Sequence, residues 1–125
     1  VGISNYTEKA LLDWLFLGAA PTRPASVWVT WATATPTSQS PFEGPFTPLR
    51  IQATFAPANS PQGSATNLGS VINTATAANT PVGYNIYDSS AGGNRLAYGL
   101  LDAAVGCKSA DTLSFAAGAL KVTLA

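Results

Sequence analysis

The chain has 125 residues, the size of one domain built around one core. Apolar residues make up 46% and charged residues 10%, far below the usual charged share of about 25%. Six Lys/Arg balance six Asp/Glu. This balance argues against a nucleic-acid binder, which neutralises phosphates with a basic stripe, and against a polybasic membrane contact. It also leaves little repulsion between molecules, so the chain is expected to work packed against other proteins.

There is no histidine, which removes histidine-based triads, general bases and zinc sets together. The single cysteine, Cys107, has no internal partner and no histidine to activate it; it reads as a structural thiol. No apolar run approaches the ~20 residues of a membrane helix, and the opening residues do not read as a signal peptide.

Residues 4–17 give the one helical pattern. Asn5 and Glu8 fit a capping box, Leu11 and Leu15 share a face, as do Leu12 and Phe16, and Gly18 fits a left-handed stop. A helix this short is marginal alone, so it must dock on an apolar surface, with Trp14 and Phe16 as anchors. From Ser26 the period becomes two. Val27, Val29 and Trp31 fall on one face of a strand, Trp28 and Thr30 on the other. Leu49, Ile51, Ala53 and Phe55 alternate with Arg50, Gln52 and Thr54, which predicts the apolar set inside and the polar set outside.

Further strands are expected over 68–75, 82–87, 95–101, 112–115 and 120–124, with residues 88–94 closing a hairpin. Two stretches, 35–48 and 56–67, carry several prolines and read as long surface loops. Together these readings predict a mainly β fold in a single domain over 1–125: a compact antiparallel sandwich or flattened barrel of about six to eight strands with one N-terminal helix. The expected core is Leu11, Leu15, Val27, Val29, Ile51, Phe55, Ile86, Leu96, Leu113, Phe115 and Val122.

The carboxylates Glu8, Asp13, Glu43, Asp88, Asp102 and Asp111 are scattered. None forms the facing pair of a glycosidase or a calcium loop, and caps and turns account for them. Gly92-Gly93 lies in a hairpin and lacks the lysine and helix of a phosphate loop. The chain is therefore expected to be no enzyme and to need no cofactor or metal. The candidate partner-binding residues are Trp28, Phe42, Phe46 and Tyr98, aromatic side chains suited to protein interfaces and, as an alternative, to stacking on sugars. Phe42 and Phe46, stiffened by Pro41 and Pro45, are expected to form an arm lying across a neighbouring subunit.

In order along the chain, SNYTEKALLD, PASVWV, ATPT, GYNIYD with AGGN, and DTLSFAAGAL resemble "SNYLENALLDH", "PATVYVAL", "DPT", "GIFDAATGGNLL" and "GDTLKFPAGALTL" of a family of small tailed-bacteriophage virion proteins. The family's polar, Gly-rich middle is replaced here by the Pro/Phe segment 41–48, and Trp31-Ala32 stands where the family has a polar pair. The resemblance implies a structural role in the virion, assembled in the bacterial cytoplasm, and carries over no catalytic residue. Partners would be other virion proteins, capsid or tail, together with self-association. A capsid decoration (cement) protein is the first expectation, because the chain lacks the repetitive or coiled segments of long fibres. A tail or tail-fibre component, or a carbohydrate-binding host-recognition module, is the alternative.

Overall fold

The computed structural model describes residues 2–21, 24–58 and 64–123. The mainly β expectation holds, with β-branched and aromatic runs forming strands and one helix standing at the N-terminus. Among the described residues β1 (Gly2–Ile3), α1 (Asn5–Leu12), β2 (Val27–Ala32), β3 (Phe46–Thr47), β4 (Ile51–Ala53), β5 (Ser64–Thr66), β6 (Val71–Ala75), β7 (Gly83–Tyr87), β8 (Arg95–Leu100), β9 (Thr112–Phe115) and β10 (Lys121–Thr123) follow in order. They exceed the expected number of strands because β1, β3 and β5 are two- or three-residue pairings with no alternation for a sequence to display.

All pairings are antiparallel. One sheet runs β1-β8-β7-β2-β4, a second β3-β6-β9, and β10 pairs with β5 as a ribbon. The first two sheets enclose the core. Val29, Trp31, Tyr84, Ile86 and Ala97 point inward from one, and Phe46, Val71, Leu113 and Phe115 from the other. Trp31 lies flat on Phe115 at 4.4 Å between centroids and donates its indole N–H to Asn73 Oδ1 at 3.0 Å. Tyr84 meets the same Phe115 edge-on at 5.9 Å.

Three expected core residues lie outside the core cluster, one of them Leu96, half-buried on β8. Leu15 is 65% exposed, and Leu11 is only half-buried. Both departures trace to the helix. Its cap is Ser4 rather than Asn5: the Ser4 hydroxyl accepts from the Thr7 N–H at 3.2 Å, while Ser4 N–H and Thr7 Oγ1 both bond the Leu96 carbonyl on β8. The first turn is thereby fastened to the sheet.

At Asp13–Leu17 the coil then widens into a π-helical turn, closed by Gly18 at φ 74°. Hydrogen bonds there span five residues instead of four, so Leu15 no longer stands beneath Leu11. Trp14, Leu15, Phe16 and Leu17 all face outward, and the anchoring expected of Trp14 and Phe16 is not made among the described residues.

The alternation across Leu49–Phe55 also breaks. Leu49 is exposed and Arg50 buried, because the outer side of this sheet is covered too. Every residue of β7 is buried, which a sheet with one wet face does not allow.

Truncating Trp31 to Ala should cost about 3–5 kcal/mol of unfolding free energy, the range for a buried aromatic. Leu15→Ala should cost less than about 1 kcal/mol at its exposed position. Urea denaturation followed by tryptophan fluorescence and circular dichroism checks the pair.

Candidate interaction surface

The outer face of the first sheet carries Gln52 and Trp28, then Thr30, Asn85, Tyr87 and Tyr98, since each sits one step out of phase with the core residues and in register with its neighbour. Residues 35–50 fold over this face instead of reaching away. Thr33 N–H donates to the Phe42 carbonyl at 3.0 Å, Gly44 N–H to the Trp31 carbonyl at 3.0 Å, and Ala32 bridges Glu43. Pro36 rests against Gly83, where an added Cβ would come within 2.9 Å of the proline ring and 2.5 Å of the Gly99 carbonyl. Only glycine permits that approach.

Two arginines and an asparagine fasten the segment. Arg50 Nη1 donates to the Ser89 and Gly92 carbonyls at 2.9 and 2.8 Å, and Nη2 to Glu43 at 3.1 Å. Its guanidinium lies 3.5 Å from the Tyr87 ring centroid. Arg95 donates to Asn85 Oδ1 at 2.8 Å and to the carbonyls of Ser40 and Thr37. Asn85 Nδ2 donates to the Pro41 carbonyl at 2.9 Å. Prolines leave carbonyls without matching N–H groups, and arginine forks and amides are the donors that satisfy them.

Burial pushes the Tyr87 hydroxyl up to about 12, helped by its hydrogen bond to Glu43 and that residue's charge and opposed by Arg50 and Arg95. Tyr84 is raised by burial as well.

The four aromatic candidates do not converge. Phe46 is 5% exposed and belongs to β3, its ring 6.3 Å from Trp31; it is a core residue, and the two-phenylalanine arm is corrected accordingly. Phe42 is 44% exposed and held at φ 51°, a left-handed conformation rare for an aromatic residue, kept in place by the bonds to its carbonyl. Trp28 is half-buried, its indole N–H on Ser26 Oγ at 2.8 Å. Tyr98 is half-buried too, with Gly2 against its ring and the Arg95 guanidinium 4.5 Å from its centroid. The second expected loop, 56–67, lies partly outside the described residues; its last part forms β5.

The carboxylates act locally. Asp88 accepts from the Asn94 N–H at 2.7 Å and closes the β7–β8 hairpin, Asp111 accepts from the Lys108 N–H at 2.8 Å, Asp13 pairs with Lys9, and Glu43 holds Arg50. Among the described residues no three His, Cys, Asp or Glu side chains gather to hold a metal, and no helix is long and apolar enough to cross a membrane.

The surface that sequence reasoning missed is the helix end. Leu12, Trp14, Leu15, Phe16 and Leu17 are exposed, and two apolar grooves lie along the preceding part of the helix. One, of about 370 Å³, runs between the helix and the sheet past Ile3, Leu11, Val27, Phe55 and Leu96. The other, of about 340 Å³, is lined by Tyr6, Ala10, Leu11, Pro21, Pro24 and Leu96. The signal was present as an apolar helix end that the described residues leave uncovered.

Replacing Arg50 with Leu should cost about 3 kcal/mol, the scale of breaking a buried charged hydrogen-bond set, and loosen residues 35–50. Amide exchange at Gly44 and fluorescence-monitored denaturation read both effects. Tyrosine ionisation gives a second check. The folded-state value for Tyr87 lies above its ordinary 10.0, so above pH 10 the unfolded chain releases the proton first. Stability should fall as pH rises from 10 towards about 12. Absorbance titration should show tyrosine ionisation continuing towards pH 12, with Tyr87→Phe removing that late step.

No curated protein matches the chain. A family model described as Podophage GP4 fiber I protein gp80 matches residues 2–123, the helix, all three sheets and the clamped segment together. The chain thus belongs to this family of bacteriophage fibre proteins and is a structural protein of the virion.

Proposed function

We propose that the chain is a non-catalytic component of a tail fibre, a compact β module held in place by contacts with other virion proteins. The family match over residues 2–123 carries this reading. It supports the fibre alternative better than the capsid decoration role that the sequence favours first. The lack of repetitive or coiled segments is no obstacle, since a fibre built of several chains has room for a small domain.

The chemistry agrees with a non-catalytic role. Asp13, Glu43, Asp88 and Asp111 are each committed to a lysine, an arginine or a backbone amide. Cys107 is buried, its sulfur on the Asn79 carbonyl at 3.4 Å.

Gold-labelled antibodies raised against the purified protein should decorate fibres on intact particles. Label confined to the head surface would sink the fibre reading and restore the decoration role.

A further inference from the structure

Three elements remote in sequence bring polar side chains to one groove. Asn5 and Tyr6 stand on the first turn of α1, Ser38 and Gln39 on the segment that wraps the outer face, and Arg95 at the start of β8. The groove they line measures about 290 Å³. That is the lower end of the range for small-molecule sites, with room for one ring rather than a chain of them.

Arg95 supplies the charge. The Ser40 carbonyl and Asn85 Oδ1 take hydrogens of Nη1, and the Thr37 carbonyl takes one of Nη2. Nε and the remaining Nη2 hydrogen have no partner among the described residues. Nor does a carboxylate pair with this guanidinium there: Asp13 is committed to Lys9, Glu43 to Arg50 and Asp88 to Asn94. A half-buried guanidinium with only neutral partners keeps its full positive charge and favours an anion, above all a planar carboxylate. The same partners, with the Tyr98 ring 4.5 Å away, hold the side chain in place, so little freedom remains to be lost on binding.

The walls are neutral and rich in hydrogen-bonding groups. The side chains of Asn5, Ser38 and Gln39 are exposed and make no hydrogen bond to the protein among the described residues. Each offers a donor and an acceptor side by side, as each hydroxyl of a sugar does. Tyr6, 45% exposed, adds an aromatic face with a polar tip, suited to the C–H side of a pyranose. No Asp or Glu lines the groove, so the ammonium of an amino acid would find no counter-charge in it. We propose that this groove binds a single acidic sugar, its carboxylate on Arg95 and its hydroxyls on Asn5, Ser38 and Gln39. The inference goes beyond the fibre reading and does not depend on it.

Titration of the ¹⁵N-labelled full chain with glucuronate, galacturonate and N-acetylneuraminate, followed by NMR, tests it. At least one of the three should give saturable shifts at the Ser38 and Gln39 amides and the Arg95 Nε–H, with a dissociation constant on the order of 1 mM. Added salt should weaken that binding. Glucose, which lacks the carboxylate, and acetate and inorganic phosphate, which lack the ring, should each bind roughly tenfold more weakly or worse. Gln39→Glu sets a negative charge at an exposed position of the groove and should weaken binding by roughly tenfold or more. Leu68→Glu, which adds the same charge at an exposed position in the β5–β6 turn, should leave it unchanged.

Should Gln39→Glu lose its native circular dichroism, the position of the shifts in the wild-type chain decides the matter. No saturable shift with any of the three acidic sugars up to about 50 mM, shifts centred away from the groove, or a folded Gln39→Glu that binds like the wild type would each overturn the proposal. So would glucose, acetate or phosphate binding as tightly as the acidic sugars. None of these results moves the antibody label on the particle, which alone decides between fibre and head.

Discussion

Trp31 is the junction on which the architecture depends. Its ring lies against Phe115 and near Phe46, which belong to the opposing sheet, while its backbone pairs with Tyr84 in the middle of the first sheet. The indole N–H, which would cost free energy if buried unpaired, meets Asn73 on β6. The other end of the Asn73 amide donates to the Pro48 carbonyl at 2.7 Å. One side chain thus sets the spacing of the two sheets, fixes their relative register and, through Asn73, holds the end of the segment that wraps the outer face.

That wrapping segment shows how a chain poor in charge spends its few charged residues. Among the described residues, Arg50 and Arg95 are fixed inside contacts that join residues 35–50 to β7 and β8. They are hydrogen-bonded to carbonyls and laid over tyrosine rings rather than displayed to solvent. Phe42, held at positive φ, is exposed at a point the network over-determines, which is where a strained residue can persist. Asn67 performs the corresponding task at the far end, its amide bridging the Gly69 and Ala116 carbonyls and accepting from the Leu120 N–H. The buried polar groups act as rivets where strands are too short to hold their own register.

The strands with clear alternation or β-branched runs could be read from the residues, and so could the hairpin at 88–94, because period and turn chemistry are local. Arg50 could not. Its neighbours Leu49 and Ile51 obey a period of two that assigns the polar residue to solvent, and nothing local announces that a loop some residues upstream will cover that face. Asn67, Asn73 and Asn85 carry no signal for the same reason: their partners lie far away in sequence. Phe42 and Phe46 look equivalent in sequence, four apart and each after a proline, yet one sits in a β pairing with Ala75 and the other at an exposed turn. Tertiary context, not residue type, separates them.

The helix is where local rules hold at one end and fail at the other. Ser4 and Thr7 make the start definite, whereas a single widened turn at Asp13–Leu17 removes the stripe that an ideal α-helix would have presented to the sheet. An inserted turn of this kind costs hydrogen-bond geometry and is uncommon outside functional positions. Here it turns four apolar side chains, Trp14, Leu15, Phe16 and Leu17, away from their own core. Five of the twelve large apolar side chains exposed among the described residues, Leu12, Trp14, Leu15, Phe16 and Leu17, stand together at this helix end, whereas Phe42, Leu49, Leu68, Ile72, Leu100 and Val105 are spread over turns and strand edges.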